Sequence, residues 1–229
     1  LEIMKKHGVK RIVFSSTAAT YGEPVNMPIL ESDKTEPTNP YGETKLAVEK
    51  MMKWVDEAHG IKSIVLRYFN VAGAHEDGII GEDHSPETHL IPLILEVPLG
   101  KREHITVFGE DYDTYDGTCI RDYIHVMDLV DAHILALKKL REGSESAIYN
   151  LGNGEGFSVK EMIQAARRVT DHPIPAVIGE RRGGDPSKLV ASSEKAKREL
   201  GWEPRFTKVE DIIASAWRWH SNNPTGFEK

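Results

Sequence analysis

Two side chains suited to proton chemistry are spaced four residues apart in the segment NPYGETK, which begins at Asn39. In a helix with about 3.6 residues per turn, Tyr41 and Lys45 would lie on one face about 40° apart, close enough for an ammonium to act on a phenol. A phenol with a pKa of about 10 is a poor base at neutral pH, and a nearby positive charge lowers that pKa. The spacing is that of a lysine-assisted tyrosine base, and equally that of a surface tyrosine with a lysine one turn later.

The elements on either side of this segment would position the pair. The run RIVFSS (Arg11 to Ser16) and the run SIVLRYF (Ser63 to Phe69) have the length of buried strands, and the helix between them is predicted from Pro40 to about His59. Near-continuous apolar strands that alternate with amphipathic helices are typical of a parallel sheet covered on both faces. The sequence therefore predicts the α/β class.

The rest of the chain continues this alternation. A polar, glycine-containing stretch over 73–86 is predicted to cross to a second lobe. Further predicted elements are a helix from about His89 to Leu99, a strand from Ile105 to Gly109, a helix from Val126 to Leu140, a strand from Ala147 to Gly152 that returns to the first sheet, and two helices opened by the capping boxes Ser158/Glu161 and Thr207/Glu210.

Composition narrows the class of partner. The chain has 229 residues, of which 39% are hydrophobic and 28% charged, values that fit one large domain or two small ones. A net charge of −7 without any dense Lys/Arg block argues against nucleic acid or an anionic membrane as a partner. Cys119 is the only cysteine, as expected in a reducing cytoplasm, and no apolar run has the length of a membrane span. Small molecules are the expected partners.

Three features could be mistaken for functional sites. The loop GNGEG (residues 152–156) has the pattern G-x-G-x-G rather than G-x-G-x-x-G, so we predict an ordinary tight loop. Cys119 has no neighbouring base and is not expected to be a nucleophile. Charged loops such as residues 82–89 are usually solvated, and we therefore predict no metal ion in this loop. The side chains of that loop that could be imagined as metal ligands are Glu82, Asp83, His84, Glu87 and His89.

Three motifs in a fixed order carry a family resemblance. They are SSTAATYG (Ser15 to Gly22), NPYGETK, and LRYFNVAGAH (Leu66 to His75). Together they resemble the extended short-chain dehydrogenases/reductases that act on nucleotide sugars. The segments that are similar to the UDP-glucose 4-epimerase branch of that family are Ile80 to Pro92, Ile105 to Leu129 and Arg181 to Ser192, and the resemblance extends essentially from Leu1 to the C-terminus.

The resemblance implies a domain organisation. Residues 1–72 would be the C-terminal part of a doubly wound, Rossmann-type NAD-binding domain, here incomplete, to which 118–152 return. Residues 73–229 would mainly form a smaller α/β domain that binds the UDP-sugar. The family's cofactor half begins with a βαβ unit that carries the glycine fingerprint, which these residues lack, and the chain begins within a helical pattern. We therefore predict a piece of a longer protein, whose activity requires the preceding residues.

The implied activity is the epimerisation of UDP-glucose and UDP-galactose at C4, a reaction of galactose metabolism. Tightly bound NAD⁺ would take a hydride from C4 while Tyr41, as phenolate, takes the proton of O4. The 4-keto sugar would turn in the site and receive both back on its other face. Lys45 would hold the phenolate and contact the cofactor ribose, and Thr17 would hydrogen-bond the sugar oxygen and relay its proton. Tyr68 and Phe69 would border the nicotinamide.

The resemblance also implies the UDP-sugar contacts. Arg121 and Arg182 match the family's two phosphate arginines, and Asp185 would bond the uridine ribose. Leu189 lies where the family's pocket meets the sugar's 2-substituent, and a leucine there leaves acceptance of N-acetylated sugars open. The other implied substrate residues are Asn70, His89 and Leu90 at amide- and leucine-bearing positions of the family, and Thr106, Val107 and Phe108 of its uracil-binding strand. The family is commonly dimeric through the helix that bears Tyr41, so a homodimer is expected.

Two alternatives share much of this pattern. A sugar-nucleotide dehydratase has the same Tyr/Lys pair, but its threonine is followed by acidic residues, where this chain has Ala18 and Ala19. A decarboxylase of UDP-glucuronate would need a carboxylate pocket, which the motifs do not contain. The alternative from a different class is a truncated, catalytically idle remnant that binds a nucleotide sugar.

Overall fold

The computed structural model describes residues 1–227. They form two compact units, each assembled from three segments of the chain. The first unit contains Leu1–Phe69, Leu129–Gly154 and Val190–Glu203. The second contains Asn70–Asp128, Glu155–Leu189 and the chain from Pro204 onward. The segment predicted to return to the first domain, 118–152, is thus divided at residue 128, and Val190–Glu203 also lies in the first unit.

Seven α-helices and ten strands are found in the described residues. The helices are α1 (Glu2–Lys6), α2 (Pro40–His59), α3 (Leu90–Leu95), α4 (Val126–Arg141), α5 (Val159–Thr170), α6 (Glu194–Leu200) and α7 (Val209–Asn222), with a 3-10 helix over Ala18–Tyr21. The strands are β1 (Arg11–Thr17), β2 (Lys62–Tyr68), β3 (Asn70–Ala72), β4 (Ile105–Phe108), β5 (Ile120–Arg121), β6 (Tyr123–His125), β7 (Ala147–Leu151), β8 (Phe157–Ser158), β9 (Ala176–Gly179) and β10 (Lys188–Leu189).

The first unit is built on a parallel sheet with the strand order β1-β2-β7. Adjacent residues of a strand point to opposite faces, and β1 shows this at its end. The Ser16 hydroxyl contacts Glu49 of α2, whereas the Ser15 hydroxyl contacts His133 of α4. Helices therefore cover both faces of a parallel sheet, and the predicted α/β class with a doubly wound, Rossmann-type sheet is confirmed.

Helix α2 has the bounds that the sequence predicts, because local signals define both of its ends. The Asn39 side chain accepts a hydrogen bond from the Gly42 amide at 2.8 Å, and Pro40 occupies the first helical position, where its missing N–H is not needed. Gly60 ends the helix in the left-handed conformation. Gly42 also permits close packing, since a Cβ there would lie 2.5 Å from the carbonyl oxygen of Ala19.

The second unit combines short strands with three helices. β3 pairs with β6 and β4 pairs with β9, both in parallel, while β10, β5 and β8 form a third small sheet. Helices α3, α5 and α7 contribute apolar side chains to one core, in which Leu95, Met162 and Ile212 are fully buried. Burial of such side chains is the main stabilising term for a unit with so little continuous sheet.

Two predictions about helix ends in this unit are wrong. The helix predicted from His89 to Leu99 ends at Leu95, because Pro98 cannot continue the helical hydrogen bonds and restricts the residue before it. The capping box of α5 is confirmed, but α7 begins at Val209 with Lys208 at its cap position and no side-chain cap. The Glu210 carboxylate, predicted to close that second box, instead accepts from Arg168 at 2.5 Å.

No helix within residues 1–227 combines the length and apolar character needed to cross a membrane.

His125 is a buried titratable group in the second unit. Its Nδ1 accepts from the Met127 amide at 3.1 Å, so Nε2 carries the hydrogen and donates to Ser215 Oγ at 2.9 Å. The ring stacks on Phe206 at 3.9 Å between centroids. Burial lowers the pKa of His125 below its ordinary 6.5, and the Asp128 carboxylate only partly opposes this effect. The other charged groups that act on the ring are Glu76, Arg205 and Asp211.

We expect the stability of the protein to fall as the pH drops below 6.5, the ordinary pKa of the His125 side chain. Above that pH both the folded and the unfolded imidazole are neutral, and below it the unfolded state binds the proton first. The slope for this one group is at most about 1.4 kcal/mol per pH unit. The measurement is the unfolding midpoint in urea from pH 7.5 to 5.5, compared with His125→Asn, which should respond less to acid.

The control is His172→Asn, because His172 Nδ1 also accepts an amide two residues on, at 3.1 Å, but the ring is only half-buried. Equal acid responses of the wild type, His125→Asn and His172→Asn would contradict the assignment.

Candidate functional site

Lys45 is held next to Tyr41 by the end of β1. Its ammonium donates to the carbonyl oxygen of Ser15 at 2.9 Å and lies 5.7 Å from the centroid of the Tyr41 ring and 5.2 Å from that of Phe14. Both distances suit a cation–π contact. The backbone bond occupies one of the three N–H donors of Lys45, and the Tyr41 side chain is 53% exposed. A fixed ammonium thus lies beside an accessible phenol, as the spacing predicts.

Thr17 is the last residue of β1, and its hydroxyl oxygen accepts from the Ala19 amide at 3.1 Å. This contact caps the 3-10 helix and leaves the hydroxyl hydrogen free to be donated to another group. Thr17 is paired with Tyr68 in the parallel register of β1 and β2. Three predicted site residues, Thr17, Tyr68 and Phe69, therefore lie at the carboxyl edge of the sheet, where α/β sheets bind ligands.

Tyr68 is the last residue of β2, and Phe69 follows the strand. Burial raises the pKa of the Tyr68 phenol above its ordinary 10.0, and nearby Tyr41 adds to this shift. The Tyr68 hydroxyl is therefore neutral at physiological pH. The Phe69 side chain is buried, and its amide donates to the Leu151 carbonyl at 3.2 Å, which ties it to β7.

A buried ion pair fixes α2 against the sheet. The Glu49 and Arg67 side chains are each 4% exposed, and the Arg67 guanidinium donates to both carboxylate oxygens of Glu49, the shortest distance being 2.6 Å. The Ser16 hydroxyl contacts the same carboxylate. Such a pair is retained only with good geometry and additional hydrogen bonds, both of which are present.

The hydrogen-bond network of Glu49 and Arg67 also includes the buried side chain of Tyr21. Arg67 Nη1 donates to the Tyr21 hydroxyl at 2.9 Å, and Tyr21 donates to Asn150 Oδ1 at 2.7 Å. Burial raises the pKa of Tyr21, although the charge of Arg67 opposes this. Sequence reasoning missed the network, although one signal was available. Arg67 lies in an otherwise apolar strand and therefore required a partner, and Glu49 lies one turn after Lys45.

His133 is a further residue that sequence reasoning missed. Its Nδ1 lies 2.8 Å from the Leu129 carbonyl oxygen, which can only accept, so Nδ1 carries the hydrogen. Nε2 then accepts from the Ser15 hydroxyl at 2.9 Å. Ser15 thus links Lys45, through its carbonyl, to α4, through its hydroxyl. No spacing pattern could indicate a contact between residues 118 positions apart.

In the second unit, three predicted substrate residues lie together. Arg121 Nη2 donates to Asp185 Oδ1 at 2.5 Å, and Leu189 is paired with Arg121 in the register of β10 and β5. The Arg121 side chain is 12% exposed and that of Asp185 33%. Cys119 contacts the second carboxylate oxygen at 3.7 Å. An oriented guanidinium at a partly open surface is suited to bidentate contact with phosphate.

The other predicted arginine lies over an aromatic ring. The guanidinium of Arg182 lies 4.0 Å from the Phe108 ring centroid, and that of Arg181 lies 3.8 Å from the Tyr112 ring. Burial raises the pKa of Tyr112 to about 12, with Cys119 adding to the shift. Thr106, Val107 and Phe108 form β4 together with Ile105, as predicted. Gly179 on β9 keeps the space beside Thr106 clear, since a Cβ there would lie 2.8 Å from Thr106 Cγ2.

Three predicted substrate residues have other surroundings. Asn70 opens β3, and its amide donates to the Asp122 carbonyl at 3.0 Å while its side chain is exposed. Leu90 is the first residue of α3 and is half-buried. His89 precedes it, and the imidazole contacts the carboxylate of Glu82.

In the glycine-containing loop at 152–156, the amide of the first residue, Gly152, already donates a hydrogen bond within the protein. The Gly152 N–H donates to Ser193 Oγ at 3.0 Å, and the same hydroxyl donates back to the Gly152 carbonyl at 2.8 Å. A phosphate cradle needs free amides, so this loop does not offer one at Gly152.

The amino-acid sequence has known relatives. Residues 1–152 match the NAD dependent epimerase/dehydratase family. The UDP-glucose 4-epimerase of Halalkalibacterium halodurans is 62% identical over 227 residues, which are 99% of this chain and 68% of the relative. The UDP-glucose 4-epimerase of Lacticaseibacillus casei is 59% identical over 99% of this chain and 69% of the relative.

Solved structures give the same result. A crystal structure of a UDP-glucose 4-epimerase superposes with a TM-score of 0.97 at 60% identity, over 100% of this chain and 69% of the other. The UDP-glucose 4-epimerase of Bifidobacterium longum, in complex with NAD⁺ and UDP, superposes with a TM-score of 0.91 at 42% identity, over 99% of this chain and 68% of the other. This chain therefore belongs to the NAD-dependent epimerase/dehydratase family, among the UDP-glucose 4-epimerases.

Proposed function

We propose that this chain supplies the proton-transfer and UDP-sugar-binding residues of an enzyme that interconverts UDP-glucose and UDP-galactose at C4. The observation that carries the proposal is the ammonium of Lys45, which the Ser15 carbonyl holds 5.7 Å from the Tyr41 ring. The reaction requires a base at neutral pH that later returns its proton, and a phenol beside a fixed positive charge can do both. The relatives named above carry this activity in their names.

The residues at the sheet edge fit one end of a dinucleotide. Lys45 has two further N–H donors beyond the one bound to Ser15, which suits the hydroxyls of the nicotinamide ribose. The buried ring of Phe69 and the neutral phenol of Tyr68 suit the border of a flat, apolar-faced ring. NAD, when bound, would supply the hydride acceptor and donor for C4 of the sugar.

Tyr41 is the general base and then the general acid of the proposed mechanism. Its phenolate takes the proton of the O4 hydroxyl as the C4 hydrogen leaves, and the phenol gives a proton back to O4 in the second half of the reaction. The number of protons is therefore unchanged after one cycle. Lys45 holds the phenolate through its charge, and the carbonyl of Ser15 keeps Lys45 in place when the charge on Tyr41 changes.

Thr17 is proposed to act on the same sugar oxygen. Because its own oxygen accepts from the Ala19 amide, the hydroxyl hydrogen is available to O4. A hydrogen donated by Thr17 suits the negative charge that develops on O4 as Tyr41 takes the O4 proton. Ala18 and Ala19, which follow Thr17, offer no acid to expel a hydroxyl, so elimination as in a dehydratase is not favoured.

The second unit is proposed to bind the UDP moiety. Arg121, oriented by Asp185, and Arg182 would contact the diphosphate, and Asp185 would also accept from the uridine ribose. The half-exposed Phe108 side chain is suited to stacking on the uracil, whose edge the backbone of Thr106 and Val107 would read. The same set of residues would include Asn70, His89, Leu90 and Leu189 as sugar and phosphate contacts.

A homodimer through α2 is part of the proposal. Met51 and Trp54 on this helix are exposed, Trp54 to 63%, and large apolar side chains of this kind are common at protein interfaces. A cytoplasmic location is supported by the use of a single, unpaired cysteine, Cys119. The metabolic role would be in galactose metabolism, without a nucleic-acid or membrane partner.

We expect Tyr41→Phe to lower kcat for the conversion of UDP-galactose to UDP-glucose by about 10²- to 10⁴-fold, because the proton of O4 loses its acceptor. The measurement is a coupled steady-state assay of the protein expressed from its whole reading frame, with bound NAD quantified for each variant. Tyr115→Phe is the control, since Tyr115 is also exposed but has no lysine beside it in the described contacts. Near-normal turnover by Tyr41→Phe with NAD retained would contradict the mechanism.

Arg121→Leu should raise the KM for UDP-galactose by about 10- to 100-fold, the effect of losing a charge-assisted hydrogen bond to phosphate. Arg182→Leu should act in the same direction without disturbing Asp185. The matched control is Arg168→Leu, because Arg168 forms an ion pair of the same 2.5 Å length with Glu210 but is not assigned to substrate. Unchanged KM values for both Arg121→Leu and Arg182→Leu would refute the assignment of the diphosphate to this unit.

Trp54→Lys should convert a dimer into a monomer, since a charged side chain would have to be buried where the indole was. Sedimentation velocity of the whole protein measures this directly. Ile80→Lys, at an exposed apolar position of the second unit, is the control and should leave the dimer intact. A monomeric wild type, or a dimeric Trp54→Lys variant, would rule out this interface.

A further inference from the structure

The loop before α3 gathers two carboxylates and two imidazoles. They belong to Glu82, His84, Glu87 and His89, and one ligand atom of each lies within 4.8 Å of the others. The sequence alone predicts a solvated loop without a metal, because charged segments of this kind are common. The positions of the atoms are more specific than the composition of the loop.

Two of the distances between these atoms resemble those between neighbouring ligands of one metal ion. His84 Nδ1 lies 3.4 Å from Glu87 Oε1, and His89 Nδ1 lies 3.6 Å from the same oxygen. His89 Nδ1 also contacts Glu82 Oε1, and these two atoms would have to move apart to bind one ion. Zinc–nitrogen and zinc–oxygen bonds of about 2.0 to 2.1 Å in a tetrahedron separate the ligand atoms by about 3.4 Å. A zinc ion could therefore bind among these atoms after small side-chain rotations.

Hydrogen bonds already hold the backbone of this loop in place. Metal binding would therefore cost less conformational entropy than it would in a free loop. The buried Trp219 indole donates to the Glu82 carbonyl at 2.9 Å. The amides of Thr88 and His89 each donate to Glu87 Oε1 at 2.7 Å and so orient that carboxylate. The rings of His84 and His89 stack with centroids 5.0 Å apart. Outer hydrogen bonds of this kind orient ligands in metal sites.

The donor set indicates the type of ion. Two carboxylates balance the charge of a divalent cation, and imidazole nitrogens favour zinc and its neighbours over magnesium or calcium, which prefer oxygen ligands. The cavity beside the cluster is also lined by Asp83, Glu96 and Lys101, so carboxylates outnumber ammonium groups around it. We propose that Glu82, His84, Glu87 and His89 bind one divalent transition-metal ion, with Zn²⁺ as the best match.

The proposal assigns the metal to the loop and not to the hydride or proton transfer. His89 is the residue before α3, so a bound ion would hold the start of that helix, and an ion at Nδ1 of His89 would leave Nε2 for the substrate contact proposed above. The proposed metal site and the proposed activity are therefore tested by separate measurements.

The test is zinc binding by the protein expressed from its whole reading frame, freed of its affinity tag and of metal by a chelator. Isothermal titration with ZnCl₂ and elemental analysis after dialysis should both give one zinc per chain, and excess MgCl₂ should not displace it. Substitution with Co²⁺ should give the visible absorption of a tetrahedral site. Binding of no zinc, or complete displacement by Mg²⁺, would overturn the proposal whatever the epimerase assay shows.

Variants locate the site. His84→Ala and the nearly isosteric Glu82→Gln should each weaken zinc binding at least about tenfold, the lower end of the effect seen when even an outer contact of a metal site is lost. The matched control is His75→Ala, because the one ion pair of His75 within residues 1–227 is with Asp77, at 3.6 Å, and a single pair is too few ligands. Zinc affinity that is unchanged in both His84→Ala and Glu82→Gln would show that any bound zinc lies elsewhere.

Discussion

The buried ion pair between Glu49 and Arg67 is the interaction on which the first unit depends. It joins α2 to β2, and through Ser16 it joins the same helix to β1. Removing one partner of such a pair leaves an uncompensated charge and destabilises a protein by about 3–5 kcal/mol. Tyr41 and Lys45 lie two turns and one turn before Glu49 on the same helix, so their position over the sheet edge follows from where this carboxylate is held.

The ion pair of the second unit has a different character. Arg121 and Asp185 are partly exposed, whereas Glu49 and Arg67 are enclosed. A buried pair with every hydrogen bond satisfied resists exchange with solvent, and so it can serve as a fixed support. A partly exposed guanidinium can keep its orientation through one carboxylate and still offer its remaining donors to a ligand. The two pairs thus suit the two tasks proposed for the units, holding reacting groups in place and binding an anionic substrate.

Local features of the structure were predictable from the sequence, and contacts between distant residues were not. The bounds of α2 follow from Asn39, Pro40 and Gly60, whose conformational preferences act within a few residues. Helical spacing places Tyr41 and Lys45 on one face, although it does not reveal the Ser15 carbonyl that holds Lys45. By contrast, Glu49 meets Arg67 and Ser15 meets His133 only because strands and helices pack as they do.

The failures at helix ends have a similar cause. Thr207 and Glu210 have the spacing of a capping box, but an arginine from α5 takes the carboxylate. The ligand-like positions of His84 and Glu87 also depend on how α7 anchors the loop through Trp219. In each case a tertiary contact overrides a correct local preference.

The end of β1 has a consequence for how this protein can vary over generations. Ser15 and Ser16 serve opposite faces of the sheet, one reaching α4 and the other α2, and Thr17 closes the strand. Because side chains alternate along a strand, inserting or deleting one residue between Arg11 and Ser15 would exchange the two faces for every residue after it. A substitution in β1 changes one side chain, and its effect on stability can be small or large. A change in the length of β1 misplaces several side chains at once. The mostly exposed stretch from Glu23 to Asn26 has no such alternation to preserve and ends before the fully buried Ile29, whose amide donates to the Val190 carbonyl, so insertions and deletions should accumulate there among relatives.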